Sequence, residues 1–164
     1  DDPLRVLRAI RFAARFEFRI HDSLKGVIRG MIKRGALKHL TPERVFKELQ
    51  LGLMLPNPSY YLKLMRDLGV MKVILPEVYN LFGVPQVEKY HPEICTGQHT
   101  FMAVQKAADK GLNFDARFAV MCHDLGKALT PDKELPSHKN HEEHGLQLVA
   151  DLCERLKVTK DTRM

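Results

Sequence analysis

The chain has 164 residues, of which 45% are hydrophobic and 28% are charged, and its formal net charge is +6. This length suffices for one sizeable core or for two small helical units packed together. No apolar run approaches the roughly 20 residues of a membrane span, and the first residues lack the apolar region of a signal peptide, so a soluble protein is expected. The three cysteines include no C-x-x-C pair. This argues against a disulfide framework and a thiolate zinc site, and it fits a reducing cytoplasm.

The excess positive charge lies in the first half of the chain. Residues 1–82 contain 15 lysines and arginines against 8 acidic residues, a surplus of +7, whereas residues 83–164 contain 11 against 12, or −1. Six of the eight histidines lie in the second half. The net charge suggests a polyanionic partner. The two distributions divide the chain into a basic part and a histidine-rich part.

Local signals predict an all-α fold, because no segment shows the sustained period-2 alternation of a strand. Three prolines follow a capping residue and mark helix starts, at Asp2-Pro3, Thr41-Pro42 and Asn57-Pro58. Gly69 and Gly111 follow apolar-periodic stretches and indicate helix ends. Residues 75–97 contain three prolines and little periodicity. This stretch is the candidate linker between the two regions.

The first predicted helix has one basic face and one apolar face. At about 100° per residue, four arginines fall within an arc of about 120°, opposite the apolar residues: Arg5, Arg8, Arg11 and Arg15. Guanidinium groups suit phosphates and base edges, and a helix N-terminus favours anions. The alternative is that Asp2 caps the helix and the arginines form a solvated face. The two interpretations are not exclusive, and the spacing leaves both open.

The second half contains histidines in a pattern that suits a metal ion. A predicted helix begins at His99, and the apolar stretch "FDARFAVMC" leads into the doublet His123-Asp124. Buried polar groups are tolerated when they are paired or bind a metal. His138, His141 and His144 follow at intervals of three, which predicts one shared helix face. Imidazoles with a carboxylate suit transition metals, manganese or magnesium, and such a metal can activate water to attack a phosphoester.

The order of a histidine and then a His-Asp doublet resembles the metal-dependent phosphohydrolase superfamily that is named after its HD doublet. A more specific resemblance covers essentially the whole chain. It is to the bacterial CCA-adding tRNA nucleotidyltransferase in its multifunctional form with an HD domain. Four segments in this order carry it: "DDPLRVLRAIRFAARFEFRI", "LTPERVFKEL", "LFGVPQVEKYHPEICTGQHT" and "RFAVMCHDLGKALTP".

The resemblance implies nucleotide-selecting residues at the start of the chain. In that family a Glu-Asp-x-x-Arg segment selects CTP or ATP by hydrogen bonds to the base, and magnesium supports the transfer. Here the segment reads Asp1-Asp2-Pro3-Leu4-Arg5, with Asp1 in place of the glutamate. Asp2 and Arg5 therefore take the selecting role by resemblance, with Arg8 and Arg11 as further nucleotide contacts.

The resemblance also implies two domains: the nucleotide-selecting helix and a helical neck region over residues 1–90, and the N-terminal part of an HD domain, with a metal-dependent site, over residues 91–164. His99, His123 and Asp124 match the family's metal ligands, with His123 and Asp124 as catalytic residues. His138 and His141 match a histidine-rich loop beside them and are expected to contact phosphate or metal. HD domains of this family are associated with phosphatase, 2'-nucleotidase and 2',3'-cyclic phosphodiesterase activities. Magnesium, nickel or manganese is the expected metal.

Two features of the family have no counterpart in this sequence. One is the catalytic head, with its Gly-Ser segment and Asp-x-Asp pair, and the other is a further HD aspartate that lies downstream. We therefore expect an internal fragment that adds no nucleotide by itself and binds its metal weakly. The expected partners are tRNA, CTP and ATP, without a membrane. Two alternatives remain open: a free-standing HD phosphohydrolase of a small nucleotide, and a non-catalytic helical RNA-binding module.

Overall fold

The computed structural model describes residues 2–93 and 95–163, so Asp1 of the nucleotide-selecting segment lies outside the described residues, as do Ile94 and Met164. Within these ranges the fold is all-α, as predicted, and the only strand-like pairing there is one isolated bridge between Pro85 and Cys95. The helices are α1 (Leu4–Arg15), α2 (Asp22–Lys33), α3 (Pro42–Leu53), α4 (Pro58–Asp67), α5 (Met71–Ile74), α6 (Pro76–Tyr79), α7 (Thr96–Asp109), α8 (Phe114–Cys122), α9 (His141–Arg155) and α10 (Lys160–Arg163). No helix in the described part of the chain is both long and apolar enough to cross a membrane.

Most of the local start and stop signals are confirmed. α3 and α4 begin at the predicted prolines, and α1 begins directly after Pro3. Gly69 and Gly111 follow α4 and α7 with φ values of 80° and 68°, the left-handed conformation that glycine adopts at low cost. α7, however, begins at Thr96, three residues before the predicted start. The Thr96 N–H and hydroxyl both donate to the carbonyl of Val84 at 3.0 Å, which fixes the first turn there.

The shared helix face that was predicted for His138, His141 and His144 is wrong for the first of them. α9 begins only at His141, because Asn140 before it has a φ of 57° and so lies outside the helical region. The candidate linker is also more ordered than its proline content suggests. It contains α6, and its residues Val78 and Leu81 are fully buried.

One continuous apolar core spans the chain. α1 packs on α3 and α4, α4 packs on α7, and α7 and α3 both pack on α8. The apolar face predicted for α1 is buried as expected, with the five residues Val6, Leu7, Ile10, Ala13 and Ala14. The division between residues 90 and 91 stays a prediction, because the core continues across it.

A buried arginine links the two halves of the chain. Arg117 on α8 donates to the carbonyls of Leu53 and Leu55 at 2.8 and 2.9 Å, and to the carbonyl of Leu112 at 2.8 Å. The last carbonyls of a helix have no partner within it. Arg117 supplies that partner for α3, and it thereby fixes α8, whose C-terminal end carries the His-Asp doublet.

Candidate metal centre

Three elements bring the predicted ligands together. His99 lies in the first turn of α7, His123 follows the last residue of α8, and Asp124 comes next. Phe118 and Met121 anchor α8 in the core, so the doublet is held at the core's edge, with Asp124 only 2% exposed. The His123 Nε2 atom lies 3.2 Å from Asp124 Oδ2, and the His99 Nε2 atom lies 3.9 Å from the same oxygen. All three residues offer ligand atoms within 4.8 Å of one another.

A fourth residue, His141 on α9, contacts the other oxygen of Asp124 and lies outside the group of three. The His141 Nε2 atom lies 3.4 Å from Asp124 Oδ1. It reaches this position because the backbone at Gly126 touches the start of α9. A Cβ atom at Gly126 would lie 1.8 Å from the carbonyl oxygen of His141 and 2.6 Å from the backbone nitrogen of Gly145. Only glycine permits this approach, so Gly126 in the "HDLGK" stretch serves to bring His141 to Asp124.

The second ring nitrogen of each imidazole is held by a hydrogen-bond acceptor. The Nδ1 atoms of His99, His123 and His141 lie 2.7 Å from Glu93 Oε1, 2.6 Å from the Val120 carbonyl and 2.8 Å from the His138 carbonyl. Each Nδ1 therefore carries a proton. A neutral imidazole has one proton and one lone pair on its two nitrogens, so all three Nε2 lone pairs face the Asp124 carboxylate. Lone pairs directed at an anion favour a cation between them.

Asp124 is held as an anion by its neighbours. Burial alone would raise its pKa, but hydrogen bonds with His123 and Lys127 outweigh burial and hold the pKa of Asp124 well below its usual range. The Lys127 Nζ atom is buried and donates to Asp124 Oδ2 and to Gln86 Oε1, both at 2.8 Å. When His123 is protonated on both nitrogens, its Nε2 donates to Asp124, and this hydrogen bond raises the pKa of His123. The neutral ring, with its lone pair on Nε2, is the form that could bind a metal. Lys127 is thus an internal partner of the candidate ligand.

The donor set fits a divalent metal ion. Neighbouring ligand atoms on one ion lie about 3 to 4 Å apart when the metal–ligand bonds are about 2.1 Å. The separations of 3.2, 3.4 and 3.9 Å between Asp124 and the imidazoles are in this range. Imidazole nitrogens combined with one carboxylate suit nickel, manganese or zinc better than they suit calcium.

Two other predicted positions lie outside this group. Both ring nitrogens of His138 are already in hydrogen bonds, Nδ1 with the Thr130 hydroxyl and Nε2 with the Pro85 carbonyl, each at 2.7 Å. His138 therefore ties the loop before α9 to the residues before α7. His144 is exposed on α9. Of the histidine-rich stretch, only His141 lies against Asp124.

Sequence reasoning missed Glu93. Its Oε1 atom lies 2.7 Å from His99 Nδ1 and 3.3 Å from His91 Nδ1, and its side chain is 13% exposed. Burial would raise the pKa of Glu93, but backbone and imidazole hydrogen bonds lower it below its usual value. The residue lies in an irregular segment before α7, where no periodicity indicates which way a side chain points. Only the turn geometry brings it to His99.

The predicted nucleotide-selecting residues on α1 differ in how they are held. Asp2 accepts from the backbone N–H of Leu4 at 3.0 Å, which lowers its pKa, and it also pairs with Arg44 on α3. Arg11 forms a two-point ion pair with buried Glu48, at 2.6 and 3.3 Å. The guanidinium of Arg11 is thus turned toward α3. Arg5 and Arg8 are exposed on the outer face of α1.

The chain matches two protein families. The family described as the probable RNA and SrmB-binding site of polymerase A matches residues 17–81, and the HD domain matches residues 96–163. An RNA-binding segment of this kind followed by an HD domain is the typical neck and HD region of CCA-adding enzymes. The chain thus carries the RNA-binding segment and the HD domain in the order that is typical of that neck and HD region. The HD match contains His99, His123, Asp124 and His141, whereas Glu93 precedes it.

The segment that matches the RNA-binding family has a basic surface. Two adjoining cavities of about 370 and 350 Å³ share Arg29, Asp67 and Leu68. Among their lining residues are seven cations and one carboxylate, Asp67, which pairs with Lys63. We call this surface the basic face, and its cations are Arg19, Lys25, Arg29, Lys33, Lys63, Arg66 and Lys72.

Proposed function

We propose that the chain supplies the neck and HD region of an enzyme that adds CCA to the tRNA 3' end from CTP and ATP. We also propose that its HD centre is a metal-dependent phosphohydrolase of the phosphatase or 2',3'-cyclic phosphodiesterase type. The observation that carries the second proposal is the orientation of His99, His123 and His141. Their Nδ1 atoms are held by acceptors and their Nε2 atoms face one buried carboxylate.

His99, His123 and Asp124 would hold the ion, and His141 would support the site from the other oxygen of Asp124. A divalent metal bound there would lower the pKa of a bound water and stabilise charge on a phosphoester. The protein keeps the ligands in place: backbone carbonyls orient His123 and His141, and Lys127 fixes one oxygen of Asp124. The side chain of His123 is 43% exposed, the most of these residues, and it is the one placed to meet a substrate.

Hydrolysis of 2',3'-cyclic AMP by the pure chain tests the HD proposal. We expect turnover that depends on added Ni²⁺, Mn²⁺ or Mg²⁺, and a loss of about 100-fold or more in His123→Ala, a typical effect of removing an acid–base or ligand group. His144→Ala on α9 is the matched control and should retain wild-type rates. Wild-type turnover that is independent of metal, or unchanged in His123→Ala, would contradict the proposal. Absence of both turnover and metal binding would favour the non-catalytic RNA-binding module.

We further propose that Asp2, Arg5 and Arg8 select the nucleotide, with Arg11 supporting α1 through Glu48. The exposed guanidiniums at the helix start and the two contacts from α3 to Asp2 and Arg11 support this role. Loss of hydrogen bonds from Arg5 to a base edge costs about 1 to 3 kcal/mol. In a nucleotidyltransferase that contains this region, Arg5→Ala should therefore weaken discrimination of CTP and ATP from other nucleotides, in the ratio of kcat/KM. Arg15→Ala, at the other end of α1, should leave that ratio unchanged. Equal ratios in wild type, Arg5→Ala and Arg15→Ala would exclude a role of Arg5 in nucleotide selection.

The basic face is the proposed contact with the tRNA backbone. Removing a cation that binds a phosphate reduces both the affinity and its dependence on salt. Arg29 borders both cavities, so Arg29→Glu should weaken tRNA binding about 10-fold at 0.1 M salt and flatten the salt dependence, measured by fluorescence anisotropy. Lys160→Glu on α10 makes the same charge change far along the chain and should have a smaller effect. An equal reduction in the two variants would show that net charge alone governs binding.

A further inference from the structure

We infer that Glu93 is a positioning residue of the metal centre, which keeps a proton on Nδ1 of His99 and so aims its Nε2 at Asp124. The inference rests on the proposed metal function of this site. Glu93 lies outside the segment that matches the HD domain and is six residues before His99. Its carboxylate is largely buried and contacts the imidazole at 2.7 Å.

His99 depends on this contact more than the other imidazoles depend on theirs. His123 and His141 donate to backbone carbonyls, whose positions are set by α8 and the start of α9. The partner of His99 is a side chain with a negative charge, which forms a stronger hydrogen bond and makes Nε2 a better electron donor. The His99 Nε2 atom is also the farthest of the three from the Asp124 carboxylate, at 3.9 Å. A small rotation of the ring would remove it from the ligand set.

The competing interpretation makes Glu93 a metal ligand. His91, Glu93 and His99 also offer ligand atoms close together, with the His91 and His99 rings 4.7 Å apart. In that case the Nδ1 of His99 would bind the ion and its Nε2 would carry the proton. The neutral imidazole of His99 cannot bind an ion at Glu93 and an ion at Asp124 together, because only one of its nitrogens has a lone pair. We favour a metal ion beside Asp124, since His123 and His141 also direct their Nε2 atoms toward that carboxylate.

Titration of the whole chain with Ni²⁺ separates these roles, with calorimetry for affinity and stoichiometry and absorption spectra for the ligand field. We expect one ion per chain, and Glu93→Ala should bind it about 10 to 100-fold more weakly. Glu93→Gln should be affected less, because its amide oxygen still accepts from Nδ1, but its Ni²⁺ absorption bands should shift. Glu88→Ala removes an exposed carboxylate from the same connecting segment and is the matched control, and His91→Ala should bind like wild type.

Three results would overturn the inference. Wild-type affinity and spectra in both Glu93 variants would show that the contact does not tune His99. A second ion that disappears in His91→Ala would make Glu93 a ligand instead. If wild type binds no Ni²⁺, or if His123→Ala binds it equally well, the proposed metal function fails and the inference fails with it. Thermal unfolding of each variant confirms that it is folded, and Glu93→Gln keeps the test decisive if Glu93→Ala unfolds.

Discussion

Asp124→Asn is expected to lower the affinity of the chain for Mn²⁺ or Ni²⁺ by at least about 100-fold. Asp124 is the only carboxylate that faces His123 and His141 among the residues that the structure describes, and its side chain is 3% exposed. The asparagine has nearly the same shape, but it removes the negative charge that the ion and the three imidazoles would share. Calorimetric titration measures the difference directly.

Loss of the charge also leaves the buried ammonium of Lys127 without its anion, which destabilises a folded protein by several kcal/mol in comparable buried pairs. His123→Ala serves as a second variant, because it leaves the pair of Asp124 and Lys127 intact. Asp151→Asn is the control, since Asp151 is an exposed carboxylate on α9 that accepts from Gln147. Wild-type affinity in both Asp124→Asn and His123→Ala would mean that the doublet is structural.

Gly126→Ala is expected to destabilise the chain by at least about 3 kcal/mol, at or above the upper end for overpacked cores. The added methyl group would overlap the backbone of α9 at His141 and Gly145, which cannot rotate away as a side chain can. α9 must shift, so the His141 imidazole should also move away from Asp124. Urea unfolding measures the stability, and metal titration measures the effect on the centre.

Gly26→Ala provides the matched control for this substitution. Gly26 lies inside α2 with no atom within 4 Å of the position that its Cβ would take, so the same added methyl group meets open space. Alanine is the better helix former by about 1 kcal/mol, and the control should be slightly more stable than wild type. If the free energy of unfolding of Gly126→Ala is within about 0.5 kcal/mol of wild type, as for an ordinary surface substitution, the close approach of α9 is not a constraint on this fold.

The parts of the fold that depend on local sequence were predictable. The apolar arc on α1 and the prolines that begin α3 and α4 depend only on neighbouring residues. The local sequence is therefore enough to predict these helices. The start of α7 was predicted three residues late, because hydrogen bonds from Thr96 to Val84 across the connecting segment decide it. A hydrogen bond between residues that are far apart in the chain produces no periodic pattern in the sequence.

The candidate site was only partly accessible from the sequence for the same reason. His99, His123 and Asp124 were identified through the resemblance, and the structure brings them together, while their roles stay predictions. Glu93 was not found, since its contact with His99 depends on an irregular turn. The ion pair of Arg11 and Glu48 joins residues 37 positions apart and redirects one of the predicted nucleotide contacts toward α3. Spacing on a single helix cannot show such pairings.

Anomalous scattering from crystals grown with Mn²⁺ tests the central claim most directly. The account predicts one anomalous peak bounded by the Nε2 atoms of His99 and His123 and by the Asp124 carboxylate, at about 2.0 to 2.3 Å from each. The peak should be absent from crystals of Asp124→Asn grown in the same way. A peak at the Nδ1 side of His99, beside His91 and Glu93, or no peak in either crystal at saturating Mn²⁺, would contradict the account.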